Sequence, residues 1–299
     1  MARDYAIYDV FTEDKLAGNP LAVVFDGTDL SDQRMQAIAG EFNLSETVFI
    51  LPAENPAHGA RLRIFTPGKE LPFAGHPTVG AAVALAERQH GAAALDLVTV
   101  LEETVGPVRC AVRLVEGRPG FAEFDLPRAS EPMPLSLDKQ AVADALCISA
   151  ADIGFENHRL SGWNAGVAYV MVPIADLSVA ARIRFDAQRW HATGAGATSL
   201  YAYCRGGVDH RASFHARMFA PELGIAEDPA TGSAVAAMSG AIRHFDDLAP
   251  GHHALTIEQG VEMGRPSLIH LHVEAGRTGI ERARIGGAAI KIAEGRILL

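Results

Sequence analysis

Two short stretches decide the fold: Thr78-Val79-Gly80-Ala81-Ala82-Val83-Ala84-Leu85-Ala86 and Ala234-Val235-Ala236-Ala237-Met238-Ser239-Gly240-Ala241-Ile242. Each predicts a helix built of small residues with no polar face, and such a helix must be enclosed on every side. Their contexts match as well. Arg63-Ile64-Phe65-Thr66-Pro67 precedes Gly75-His76-Pro77-Thr78 and the first helix, and Arg217-Met218-Phe219-Ala220-Pro221 precedes Ala230-Thr231-Gly232-Ser233 and the second. Arg63 and Arg217 stand 154 positions apart, about half of the 299-residue chain. That spacing points to an internal duplication.

Around the first helix, period-two apolar runs predict strands: Tyr5 to Phe11, Leu21 to Phe25, Thr47 to Leu51, Ala60 to Phe65, Leu95 to Leu101, Val108 to Val115 and Phe121 to Leu126. Ser31 to Ala39 reads as a surface helix with Ser31 as its N-cap. Arg128 to Pro134 contains two prolines and is the most linker-like stretch, so a domain boundary is placed after Pro127. Beyond it we expect a helix at Ser136 to Cys147 and strands at Val167 to Val172, Ser199 to Cys204 and Arg211 to Met218. The fold class is therefore α+β.

Composition narrows the function classes. The chain carries 26 Lys+Arg against 36 Asp+Glu, a net charge of −10, and is 48% apolar. This is a globular composition without the basic face that a nucleic acid or an anionic membrane calls for. The longest apolar stretch, Ala165 to Ala175, is too short to span a bilayer and contains Pro173. Met1-Ala2-Arg3-Asp4-Tyr5 places an acid where a signal peptide would begin its apolar region. Cys110, Cys147 and Cys204 form no CxxC and suggest neither a disulfide framework nor a thiolate metal site. The expected compartment is a reducing cytoplasm.

Candidate chemistry gathers at the two helix starts. The first N–H groups of a helix lack intrahelical partners and sit at its positive end, so they bind anions. Gly75 and Gly232 are placed to open such starts, and two of them across an interdomain cleft would hold a carboxylate. Alternatively both are plain turn formers. His76 follows Gly75, and Asp228 precedes Pro229, which biases it toward an extended conformation. Asp228 is either a site residue or a helix-dipole partner or cap, and His76 is either a site residue or a cap or core contact. Glu46, in Asn43-Leu44-Ser45-Glu46-Thr47-Val48-Phe49, heads an apolar strand. It is either a partly desolvated proton carrier or a solvated strand-end acid. Ser233 has no paired histidine signature and reads as a hydrogen-bond donor to an anion or substrate. His270 and His272 share a strand face without a third ligand at a telling spacing, His252-His253 is equally unsupported, and no HExxH occurs, so no metal is expected. Arg205-Gly206-Gly207 matches no phosphate-binding loop, and no GxSxG is present.

Five motifs in order then identify a family. Ala17-Gly18-Asn19-Pro20-Leu21-Ala22-Val23-Val24, Asn43 to Phe49, Phe73-Ala74-Gly75-His76-Pro77-Thr78, Glu227-Asp228-Pro229-Ala230-Thr231-Gly232-Ser233-Ala234 and Gly264-Arg265-Pro266-Ser267 together resemble the PhzF-like phenazine-biosynthesis isomerases. The resemblance covers residues 17 to 267. It implies the diaminopimelate epimerase fold: two pseudo-symmetric halves, each wrapping strands around a central apolar helix. The expected halves are residues 1–127, joined by a strand near 285–299, and residues 128–284. It also implies movement of an allylic proton without metal or organic cofactor. Glu46 would be the general acid/base, His76 and Asp228 would position or polarise the substrate, and Gly75, Gly232 and Ser233 would bind its carboxylate. The related epimerases use two cysteines, and neither helix-start motif contains one. The expected activity is a cofactor-independent isomerase acting on a small carboxylate-bearing metabolite, as a homodimer. A one-base epimerase of an amino-acid-like substrate and a non-catalytic small-molecule-binding protein are the alternatives.

Overall fold

The computed structural model describes residues 2–91 and 93–299, a mixed α+β fold with 42% strand and 25% helix. Its contacts cluster into two units, Met1–Pro127 with Ile285–Leu299, and Arg128–Arg284.

In the first unit the alternating segments pair in a continuous circuit. Strand β1 (Ala2–Val10) lies antiparallel to β2 (Asn19–Val24). Helix α1 (Asp32–Phe42) then crosses over to β3 (Glu46–Leu51), parallel to β2, and β4 (Ala60–Phe65) returns antiparallel to β3. The short β5 (Glu70–Leu71) folds onto β4 and leads to α2 (Gly75–His90). Beyond α2, β6 (Leu95–Glu103) runs parallel to β4 and continues into antiparallel β7 (Gly106–Leu114) and β8 (Gly120–Asp125). The strand Ile280–Leu298 pairs with both β8 and β1 and closes the circuit.

Helix α2 packs on β1, β2, β3, β6, β7 and β8, and every residue from Gly75 to Ala84 is buried. Gly80 explains the need for small residues: a Cβ there would lie 2.5 Å from Leu21 Cδ2 and 2.8 Å from Val10 Cγ2. The helix is longer than its apolar core because Glu87-Arg88-Gln89-His90 adds a polar last turn. Outside, α1 starts where Ser31 Oγ accepts the Arg34 N–H, and it buries Met35, Ile38 and Ala39 against Val24, Phe49 and Phe65.

The second unit departs at its start from the sequence expectation. The expected linker contains strand β9 (Glu131–Met133), because Pro132 sits at a sheet edge that needs no ladder N–H there, and β9 pairs with β10 (Ser161–Asn164). Between them α3 (Lys139–Leu146) begins three residues later than expected, since the Asp138 carboxylate caps the amides of Gln140 and Ala141. β11 (Ala168–Pro173) is antiparallel to β10, and α4 (Leu177–Arg182) and α5 (Ala187–Trp190) cross to β12 (Ser199–Arg205), parallel to β11. β13 (Phe214–Ala220) returns antiparallel and carries β14 (Ile225–Asp228). Helix α6 (Gly232–Phe245) follows, then β15 (Gly251–Gln259) parallel to β13, β16 (Ser267–Ala275), and β17 (Ile280–Leu298), the strand that completes the first unit.

Helix α6 packs on β9, β10, β11 and β16. On the other face, Val142, Leu146, Val179 and Trp190 from α3 to α5 form a core with Val170, Val172, Leu200, Ala202 and Phe219. Strands β11 and β12 are covered on both faces, which is why they read as nearly continuous apolar runs. Among the described residues, no helix is long and apolar enough to cross a membrane.

Candidate active site

Two turns, one in each unit, carry the residues singled out from the sequence. In the first unit Glu46 opens β3, opposite Leu21 of β2, and His76 is the second residue of α2. Both side chains are withdrawn from water, at 12% and 5% exposure, and His76 Nε2 lies 3.4 Å from Glu46 Oε2. Burial pushes the imidazole down to about 3, so the ring is neutral near pH 7 and the contact is not an ion pair. His76 Nε2 makes no hydrogen bond among the described residues. A neutral imidazole with an open nitrogen beside a carboxyl group is suited to hand a proton across or to polarise a carbonyl. Gly75 is the first helical residue, Ala74 offers no side-chain cap, and Pro77 has no N–H. The leading donors of this helix are thus the backbone amides of Gly75 and His76.

In the second unit Asp228 ends β14, paired with Met218, and is 5% exposed. Its Oδ2 accepts a short hydrogen bond from Thr231 Oγ1. The backbone around it is clamped by Gln259, fully buried at the end of β15. Gln259 Nε2 donates to the Asp228 carbonyl at 2.7 Å and to Thr231 Oγ1 at 3.0 Å, while Oε1 accepts from the Thr231 amide at 3.2 Å and from Tyr201 OH at 3.1 Å. Ser267, in the Gly264 to Ser267 motif, places its hydroxyl 3.0 Å from the Pro229 carbonyl and braces the same turn. Gly232 and Ser233 are the first two residues of α6, whose N-cap Thr231 gives no side-chain bond to the helix amides. Ser233 Oγ lies 2.7 Å from Tyr169 OH on β11.

The sequence reading located the turns and missed their supports. Gln259 sits among charged and apolar strand residues, and Tyr169 reads as one more apolar position of a buried strand. Only the fold brings them to Asp228 and Ser233. The histidines set aside from the sequence lie elsewhere: His270 and His272 do share the half-buried face of β16, and His272 Nδ1 meets His252 Nε2 at 3.3 Å. Among the described residues, one group of three has metal-ligand types in reach of each other, Glu156, His158 and Asp246. Arg205 already donates to Glu156 at 2.6 Å and to Asp246 at 2.7 Å, and His158 bonds Tyr203 OH and Asp246 at 2.8 Å each. The guanidinium supplies the positive charge these acids require, which makes the group an ion-pair network.

Comparison with known proteins places the chain in a family. Residues 8–295 match the PhzC-PhzF family of phenazine biosynthesis-like proteins. An uncharacterized isomerase of Mesorhizobium japonicum is 53% identical over 304 residues, covering 99% of each chain. The trans-2,3-dihydro-3-hydroxyanthranilate isomerase of Pseudomonas aeruginosa is 32% identical over 295 residues, again covering 99% of each. Among solved structures, a PhzF-family phenazine biosynthesis protein of Bacillus anthracis superposes with a TM-score of 0.90 over the whole of both chains at 24% identity, a likeness of fold. The fold is related to that of the proline racemases and epimerases. With a family model matched over residues 8–295, a matching fold and isomerases among its full-length relatives, this chain belongs to the PhzC-PhzF phenazine biosynthesis-like family and is an isomerase.

Proposed function

We propose that the chain is a cofactor-independent isomerase that moves a carbon-bound proton of a small carboxylate-bearing metabolite. The observation that carries this reading is the buried contact of Glu46 with a neutral His76. Glu46 takes the proton from one carbon as its carboxylate and returns it to another as the acid, so the enzyme ends each cycle unchanged. His76 polarises the carbon acid or relays the proton through its open nitrogen. Asp228, held by Thr231 and Gln259, orients the substrate. The helix-start amides of Gly75 and Gly232 and the Ser233 hydroxyl bind its carboxylate. The two units are read as epimerase-like copies of one another, pseudo-symmetric in topology, with the domain boundaries at 127/128 and 284/285. The same sequence of antiparallel and parallel pairings in each supports this.

The test is solvent deuterium incorporation. Trans-2,3-dihydro-3-hydroxyanthranilate, the compound named for the Pseudomonas relative, and a pool of small carboxylates are incubated with enzyme in deuterated water. We expect one compound to gain deuterium with migration of a double bond. Glu46→Gln is nearly isosteric, so it should keep fold and binding while turnover falls by ~10²–10⁴-fold, as for removal of a general acid/base. Exchange by Glu46→Gln at the wild-type rate would pass the role to Asp228 or His76. Exchange at an α-carbon without double-bond migration would select the one-base epimerase instead.

A further inference from the structure

Glu103, the last residue of β6, is buried with its carboxyl against the first turn of α2. Its Oε1 lies 2.7 Å from Thr78 Oγ1, and the same hydroxyl lies 2.8 Å from the Ala74 carbonyl. A hydroxyl has one proton to donate and a carbonyl oxygen has none. If Thr78 donates to Ala74, the proton between Thr78 and Glu103 has to belong to Glu103. Glu103 Oε2 is buried with no hydrogen-bond partner among the described residues. A carbonyl oxygen tolerates that far better than an ionised carboxylate does.

The second unit supplies an independent comparison. The parallel pairing of Arg61 with Glu102 has its counterpart in His215 with Glu258, so the next residue along the strand is Glu103 in one unit and Gln259 in the other. Gln259 uses a neutral amide to hold the turn before α6. A protonated carboxyl has nearly the same shape and likewise presents a donor and an acceptor.

We propose that Glu103 is held as the neutral acid and is a positioning residue, its proton completing a chain through Thr78 to Ala74 that fixes the turn presenting Gly75 and His76. Only the effect on turnover rests on the isomerase mechanism above; the protonation state stands by itself. Burial pushes this carboxyl up to about 8, against a smaller opposing effect of the Thr78 hydrogen bond. The titratable group facing it from β7 is the Cys110 thiol, which burial keeps protonated. Arg109 of β7 and Asp125 of β8 also act on that thiol and pair with each other at 3.3 Å, while α2 presents Thr78.

The experiment uses the full chain and Glu103→Gln. Infrared difference spectra should show a protonated-carboxyl stretch in the wild type at pH 7 that titrates near pH 8 and is missing from the variant. The folded protein keeps a proton that the unfolded chain releases above its ordinary 4.5. Wild-type stability should therefore fall relative to Glu103→Gln as pH rises from about 5 to 8. In turnover, Glu103→Gln should retain the neutral-pH rate and lose an alkaline decline that the wild type shows near pH 8. Absence of the infrared band at pH 7, or parallel stability profiles for the two proteins, overturns the neutral acid. If both behave as expected while the rate profiles coincide, the positioning role is rejected. Inactivity of both proteins toward every compound tried would count against the isomerase mechanism and leave the first two measurements decisive for Glu103.

Discussion

Ser233 is proposed above as a donor to the substrate carboxylate. Its Oγ is 2.7 Å from Tyr169 OH and also stands at the first turn of α6. A donor that holds ground and transition states alike changes binding more than chemistry. Ser233→Ala should therefore raise KM by the equivalent of about 1–3 kcal/mol with a smaller change in kcat, and steady-state kinetics on the compound that the deuterium screen selects will check it. A fall in kcat at constant KM contradicts the assignment. His215 controls pH dependence of another kind. Burial disfavours its imidazolium, but Glu258 at 2.6 Å and Glu262 at 3.0 Å outweigh burial and raise the group to about 9. Its folded value lies above the ordinary 6.5, so its contribution is complete below pH 6.5 and is lost as pH rises through 9. Denaturant midpoints of His215→Gln should lack that decline and show a loss of about 3 kcal/mol at pH 6, the low end for breaking a buried pair, because Glu258 keeps two backbone donors. At this scale the sequence displays residues that lie inside tight local motifs, such as Glu46, His76 and Asp228. Their partners arrive from strands far along the chain, and nothing local announces Gln259, Tyr169 or Glu103.

The elements were legible wherever one physical demand ruled them. Helices α2 and α6 have no polar stripe because strands surround them, and period two marked most strands to within a few residues. Boundaries were less legible, because capping depends on single side chains: Asp138 starts α3 and a polar turn extends α2. The prolines around β9 resembled a linker because edge strands accept the same residue that loops do. The enclosed helices also predict their own sensitivity. At Gly240 a Cβ would collide with the Trp163 ring and approach Ser130 Oγ at 2.6 Å. Alanine gains about 1 kcal/mol of helix propensity there. Overpacking against a rigid indole costs about 1–3 kcal/mol. Gly240→Ala should thus be net destabilising, with a lowered Tm and an altered Trp163 fluorescence, whereas a raised Tm would mean that β10 moves aside freely.

At the scale of the molecule, we read the recurrence of Arg63 to Pro67 in Arg217 to Pro221 as the sign of two related halves; the contacts cluster into two units. We expect the working form to be a homodimer, since most soluble assemblies of one chain are twofold pairs. Light scattering at micromolar protein should give about twice 31.7 kDa, and a single-chain mass would reject the pairing. One feature of the first unit bears on how the protein is made. Its circuit of strands stays open between β8 and β1 until β17 arrives, more than 150 residues after β8 ends. The second unit is continuous in sequence, Arg128–Arg284, and its synthesis fills that interval. During translation, β1 and β8 therefore wait as open sheet edges beside an apolar helix, and contacts this distant in sequence form slowly. A cell making this enzyme in quantity should need holding chaperones during that interval more than at any later stage of its life.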